Sequence, residues 1–256
     1  MWAVGSAAVA VGLIVALAVR ERTAAPTDAR PLVVYAAASL RPAFTRIATE
    51  YEAETGQRVE LRFGASEEML TRVRLPSAVD PGDLFAPADE SYVTSADKLG
   101  LVAESRPVAR MRAVLLLAPG RMPPTAWGDL ASRDMRVSLA NEAAAIGRLT
   151  RQRLIATGLW RELEPRVRGA ATVTDSANAA KLGAVDAAIV WDAVARQYPD
   201  QRTAELPELT GIEAEVRVAV LRQSARPADA ERFLRFVLDP EHGLRHFRDL
   251  GFRVVE

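Results

Sequence analysis

The strongest constraint on the fold of this chain is a repeated alternation. An apolar run of strand length meets a turn of small residues, and apolar residues at helical spacing follow. Leu32 to Ala38 is continuously apolar, as a strand buried on both faces must be. Pro42 falls in the first turn of the next helix, where its missing N–H costs little. Phe44, Ile47, Ala48 and Tyr51 follow at helical spacing, and Gly56 ends the helix. Val59, Leu61 and Phe63 alternate as a second strand, and Met69, Leu70 and Val73 mark a second helix. Pro81-Gly82 is a turn, Asp83 to Ala86 a short third strand, and Ser91 to Lys98 a third helix ending at Gly100. An extended stretch, Val108 to Ala118, is closed by Pro119-Gly120, and the same grammar then resumes. Arg136 to Ala140 reads as a strand, Ile146 to Thr157 as a helix, and Val167 to Val173 as a strand. Asn178 to Leu182 reads as a short helix and Ala187 to Trp191 as a buried strand. Glu213 to Leu221 returns as an alternating strand. Arg226-Pro227-Ala228-Asp229 opens the last helices, which hold Phe233, Phe236, Val237 and Leu244.

Alternation of this kind, run through twice, predicts an α/β fold of two doubly wound lobes. Val108–Ala118 and Glu213–Leu221 are the candidate crossovers. The expected division is a first lobe of residues 32–112 plus 220–256 and a second of 113–219. Ligands of such sheets bind at the carboxyl ends of the strands. The site is therefore expected in the cleft between the lobes, with hinge closure around the ligand.

Composition removes several function classes. The 33 Lys and Arg residues balance 33 Asp and Glu residues, which leaves no charge signature of a nucleic-acid groove or a polybasic membrane patch. With no cysteine there is no thiol chemistry, disulfide, thiolate metal site or lipoprotein acceptor. The two histidines, His242 and His246, share a helical face beside Glu241 but lie far along the chain from the strand-end turns. A solvated or packing role is expected of them rather than a metal site.

The amino terminus reads as a targeting segment. Trp2 to Val19 is uninterrupted by charge, at the lower limit of length for crossing a bilayer. Residues 1–22 fit a signal peptide or a retained anchor, with Ala16-Leu17-Ala18 as a small-x-small cleavage site. Residues 23–31 read as a Pro/Ala-rich linker, and 32–256 as the body, expected outside the cytoplasmic membrane.

The turns carry the chemistry. Ser39 and Ser66 each place a hydroxyl where a strand becomes a helix. A helix start exposes unpaired N–H groups and the positive end of the helix dipole, so two starts converging on a point would hold an anion with neutral donors. Each serine could equally be a helix N-cap with no ligand. The second lobe offers comparable turns at Asn141 to Gly147 and at Val173 to Ser176. Trp191, at the end of a buried strand, supplies an indole N–H donor.

Three first-lobe motifs stand in order: Tyr35-Ala36-Ala37-Ala38-Ser39-Leu40, then Phe63-Gly64-Ala65-Ser66, then Asp83-Leu84-Phe85-Ala86-Pro87-Ala88-Asp89. In these the chain resembles the molybdate-binding proteins of bacterial ABC transporters. Ala184 to Val190 is similar to the family's stretch before its last ligand residue. The resemblance spans residues 32 to about 255 and implies a periplasmic binding protein-like fold. It implies an oxyanion held by the Ser39 and Ser66 hydroxyls, by backbone amides at Ile146 and Val173, and by position 191. For the second amide, Asp175 or Ser176 would fit a shifted alignment. Molybdate would be bound through these residues with no direct ligand to the metal, and no cofactor is implied. The resemblance further implies a membrane ABC permease as partner, a monomer, and no catalytic step.

Two positions depart from the family pattern. Trp191 stands where the family has tyrosine. Glu67 and Glu68 follow Ser66 directly, and pointed into a cleft they would repel a dianion. At an effective dielectric of about 20, like unit charges 4 Å apart cost about 4 kcal/mol. A working oxyanion site thus requires both carboxylates to face outward. Other small anions (sulfate, phosphate, a carboxylate) and a membrane-tethered ligand sensor are the alternative readings. An enzyme would have to draw on Asp83, Asp89, Glu67 or Glu68, the carboxylates near these turns.

Overall fold

In the computed structural model, which describes residues 30–75 and 81–255, the first apolar run forms β1 (Leu32–Ala37). All its residues but Val33 are buried, as a strand between two parallel neighbours requires. A 3₁₀ turn (Ala38–Leu40) leads into α1 (Arg41–Thr55), with Pro42 in the first turn and Gly56 closing the helix at φ 70°. Then come β2 (Val59–Gly64), α2 (Ser66–Arg74), β3 (Leu84–Ala86), α3 (Glu90–Lys98) and the long β4 (Val102–Leu117). The next unit holds α4 (Gly128–Ser132), β5 (Val137–Ala140), α5 (Ala145–Ala156), α6 (Trp160–Leu163), β6 (Val167–Ala170), α7 (Val173–Lys181) and β7 (Ala187–Trp191). The chain finishes with α8 (Asp192–Ala195), β8 (Thr203–Ala204), β9 (Glu213–Leu221), α9 (Pro227–Leu238), α10 (Gly243–Asp249) and β10 (Arg253–Val254).

The main path of the sheet runs β2-β1-β3-β9-β4-β7-β5-β6, with β8 and β10 also on β4. β1 pairs parallel with β2 and β3, and β5 pairs parallel with β6 and β7. β4 belongs to both halves. Through Arg112 it pairs antiparallel with β9, and from Ala113 onward with β7. Each half is thus a short parallel sheet flanked by helices, and both are carried on one long strand. The mixed α/β architecture expected from the alternation is present.

Some boundaries differ from the sequence reading. The strand expected over Val167–Val173 stops at Ala170, and the helix expected at Asn178 begins at Val173. A reciprocal cap sets that earlier start. The Thr172 hydroxyl accepts the Asp175 N–H at 3.2 Å, while the Asp175 carboxylate accepts the Thr172 N–H at 3.0 Å. β4 begins at Val102 rather than Val108. Its early half is a polar stretch with an irregular register between Pro107 and Ala109. The targeting segment expected over residues 1–22 lies outside the described residues. Among the described residues no helix is long and apolar enough to cross a membrane.

The two halves share a clamp at the amino-terminal edge of their sheets. In the first, the Asp83 carboxylate accepts the Val33 N–H at 2.8 Å, while the Asp83 N–H donates to the Val33 carbonyl at 2.9 Å. In the second, Asp186 does the same with Arg136, at 2.7 and 2.9 Å. Each aspartate stands one residue before a central strand, β3 or β7, and ties it to the start of its parallel neighbour. Asp83 is also bound by the Ser224 hydroxyl at 2.5 Å. Burial pushes the Asp186 carboxyl upward, but the Arg136 N–H and the Arg136 and Arg121 guanidinium groups outweigh it. They hold the carboxyl below its ordinary value.

Removing the Asp186 carboxylate leaves a strand-edge N–H without its acceptor. Asp186→Ala is expected to cost about 2 kcal/mol of stability in urea unfolding. A depressed folded pKa contributes stability that is complete above the unfolded value and is lost as pH falls through the folded value. The gap between wild type and Asp186→Ala is therefore expected to be full at neutral pH and to close below about pH 4.

Candidate functional site

The parallel strands of both halves end on the same side, and their exits meet. One cavity is lined by Ala37, Ala38 and Ser39 after β1 and by Gly64, Ala65 and Ser66 after β2. Ala88 follows β3, Ala144, Ala145 and Ile146 follow β5, Thr172 and Val173 follow β6, and Trp191 ends β7. All five residues singled out in the sequence, Ser39, Ser66, Ile146, Val173 and Trp191, lie in this one lining. The cavity volume is about 10 Å³, the room of about one water-sized body. An organic ligand of many atoms does not fit between the halves as they stand.

Its walls present donors. The residues that cap the 3₁₀ turn, α2 and α5 are Ala37, Ala65 and Ala144, each in extended conformation and none with a side-chain cap. Alanine is a poor N-cap because it offers no oxygen to the first-turn N–H groups. Three helix starts at one cavity thus leave their amides without a side-chain cap. Neither serine is itself the cap, in contrast to the alternative that the sequence left open. Ser66 is the first residue of its helix and Ser39 the second of its turn. The Ser39 hydroxyl is buried with no hydrogen-bond partner. Ser66 Oγ accepts the Ala88 N–H at 3.2 Å, which leaves its own proton to donate.

α5 is pressed hard onto the end of β5. A Cβ on Gly147 would stand 2.1 Å from the Ala140 carbonyl oxygen and 2.2 Å from that of Asn141. Only glycine permits that approach, which sets the height of the Ile146 N–H at the cavity. Trp191 is 1% exposed and closes the floor. Neither glutamate lines the cavity: Glu67 pairs with Arg74 and Glu68 with Arg72, each at 3.3 Å, and both side chains are about half exposed, with Glu68 Oε2 packed over Gly64, 2.4 Å from where a Cβ would stand. Among the described residues no charged side chain lines the cavity, and no lining side chain titrates near neutral pH.

The sequence reading missed Ala88, Thr172 and the alanine caps. The signal for the caps was present as the small residue before each helix start, but an alanine is as easily read as strand.

The carboxylates considered for catalysis are committed elsewhere. Asp83 is in its clamp, and Asp89 caps α3. Both histidines lie near the carboxyl-terminal end of α1, about 20 Å of helix away from Ser39. There Glu50, Glu54 and His242 present ligand atoms within 4.8 Å of one another. Arg245 already pairs with Glu50 at 2.9 and 3.1 Å, and His246 contacts the same carboxylate. A hydrogen bond to the Asp239 carboxylate raises the His242 pKa and outweighs its partial burial. The cluster is an ion-paired helix contact.

The chain is similar to known proteins. A molybdate-binding protein, ModA, of Mycobacterium tuberculosis is 31% identical over 219 residues, covering 84% of this chain and 82% of that protein. The solved periplasmic molybdate-binding protein of Azotobacter vinelandii superposes with a TM-score of 0.75 at 19% identity, covering 88% of this chain and 100% of that one. The sulfate-binding protein SubI of Mycobacterium tuberculosis superposes at 0.71 with 16% identity, over 88% and 87%. At such identities the two structures speak for the fold alone. The profile of the bacterial extracellular solute-binding proteins matches residues 32–253, nearly the whole described body. A cleft built from strand exits, and a match of that extent, place the chain in the bacterial extracellular solute-binding protein family.

Proposed function

We propose that this protein captures molybdate or tungstate outside the cytoplasmic membrane and delivers it, as a monomer, to an ABC permease. The convergence of three alanine-capped chain starts and two serine hydroxyls on one small, uncharged cavity carries the reading. Such a lining donates from many directions and offers no positive side chain. It favours a compact anion whose oxygens are all acceptors. A protonated oxygen would find an acceptor only in the serine and threonine hydroxyls, since the lining holds no carboxylate, which disfavours hydrogen phosphate at neutral pH. The resemblance of the first-lobe motifs supports molybdate, and so do the names of the sequence relatives. Ser39, Ser66, the Ile146 and Val173 amides and the Trp191 indole are the proposed ligand donors. No step in this role breaks a bond: binding shifts an open–closed equilibrium, and the closed form is what the permease reads.

Sulfate is the second reading. The small cavity favours it, since sulfate is the smaller tetrahedral dianion. Titration calorimetry with molybdate, tungstate, sulfate and phosphate separates the two. Binding of molybdate and tungstate at 1:1, with sulfate at least about tenfold weaker, is the expected result. Tighter sulfate binding transfers the assignment, and no binding of any of the four overturns the oxyanion reading.

A further inference from the structure

Arg148 stands two residues beyond Ile146 on α5 and reaches across the cleft to the other half of the molecule. Its Nη2 donates to Asp89 Oδ1 at 2.7 Å and to Ser91 Oγ at 2.8 Å. Its Nε donates to the Tyr92 hydroxyl at 3.3 Å, and the guanidinium lies 5.0 Å from the centre of the Tyr92 ring. Asp89 is buried, with a side chain 7% exposed, and Arg148 is 25% exposed. Close by, the Glu67 N–H donates to the Ala143 carbonyl at 3.0 Å, a second bond between the halves.

The position of this contact matters more than its strength. Asp89 directly follows Ala88, whose N–H holds Ser66 at the cavity wall. Arg148 follows Gly147, which is wedged against the end of β5. The bridge therefore joins the turn after β3, which holds Ser66 through the Ala88 N–H, to the helix start that presents Ile146 to the cavity. Asp89 has independent partners on its own side, the Ser91 N–H at 3.2 Å and the Ser91 hydroxyl. If the halves part, Asp89 keeps those partners and Arg148 enters water, so neither group is stranded.

We propose that Arg148 is a clasp: a positioning residue that forms its bridge only when the lobes close and so sets how long the anion is retained. The proposal rests on the oxyanion reading. A bridge present only in the closed form adds its free energy to that form alone. Ligand and clasp then stabilise each other, and by linkage the effect is reciprocal. Truncating one partner of such a charge pair acts chiefly on dissociation.

The test is stopped-flow measurement of molybdate association and dissociation, followed by tryptophan fluorescence, on wild type, Arg148→Ala, Arg148→Lys, Asp89→Asn and the Arg148→Ala/Asp89→Asn pair. Arg148→Ala is expected to speed dissociation about ten- to a hundredfold with little change in association. Its ligand-free melting temperature should match wild type, because the clasp is absent from the open form. Lysine keeps the charge without the fork and should restore part of the retention. The double variant should dissociate no faster than Arg148→Ala, since both changes remove one interaction. Unchanged dissociation in Arg148→Ala, additive effects in the pair, or a loss of ligand-free stability matching the loss of affinity would each overturn the clasp. If wild type binds no oxyanion, the underlying reading fails and the clasp fails with it.

Discussion

Alanine at both Ser39 and Ser66 is expected to weaken molybdate binding at least about a hundredfold, as read by titration calorimetry. Each hydroxyl would donate to a charged oxygen, and a hydrogen bond to a charged group is worth about 1.5–3 kcal/mol. Two of them amount to about 3–6 kcal/mol, or two to four orders of magnitude in Kd. The fold should tolerate the change. The Ser39 hydroxyl has no hydrogen-bond partner within the protein, and the Ser66 hydroxyl accepts one from the Ala88 N–H. The double variant should therefore melt close to wild type in the absence of ligand. Retained affinity in a well-folded double variant would remove the serines from the site.

Ala144→Asp is expected to separate stability from binding in the opposite direction. Ala144 caps α5 with φ −92° and ψ 137°, a conformation suited to an aspartate cap, and it lines the cavity. An aspartate there would accept first-turn N–H groups, a change worth about 1 kcal/mol in favour of the helix. It would also place a carboxylate against the bound dianion. Repulsion between unit charges 4 Å apart at an effective dielectric of about 20 is about 4 kcal/mol, near a thousandfold in affinity. The expected variant is at least as heat-stable as wild type without ligand and does not detectably bind molybdate. A variant that still binds tightly would show that the α5 start does not face the anion. The alanine caps are then understandable as a trade in which local helix stability is given up for ligand.

Much of this was legible in the residues. The strand-helix alternation located β1 and β7 from short apolar runs, β2 from the alternation of Val59, Leu61 and Phe63, and β5 from the stretch Val137 to Ala140. The two serines stood out because each places a hydroxyl where a strand becomes a helix, although an ordinary N-cap would account for either one alone. What escaped the reading was governed by backbone geometry and by partners distant in sequence. The start of α7 at Val173 depends on Thr172 and Asp175 reading each other as a cap, and aspartate is the less familiar residue in that role. Ala88 carries no side-chain signal, since its contribution is an N–H aimed at a serine 22 residues earlier. The placement of Glu67 and Glu68 outside the lining goes with partners on the same helix, Arg72 one turn beyond Glu68 and Arg74 two turns beyond Glu67. Arg148 was unremarked because its partners lie more than fifty residues away, across the cleft.

The paired aspartates at Asp83 and Asp186 give the molecule a division of labour along β3 and β7. Each holds its sheet together at the end where the chain enters, whereas the cavity sits where the chain leaves. Integrity and selectivity are thus written into opposite tips of the same strands. A designer could resculpt the exit turns for a different cargo, or attach a reporter there, while the entry tips go on holding both sheets in register.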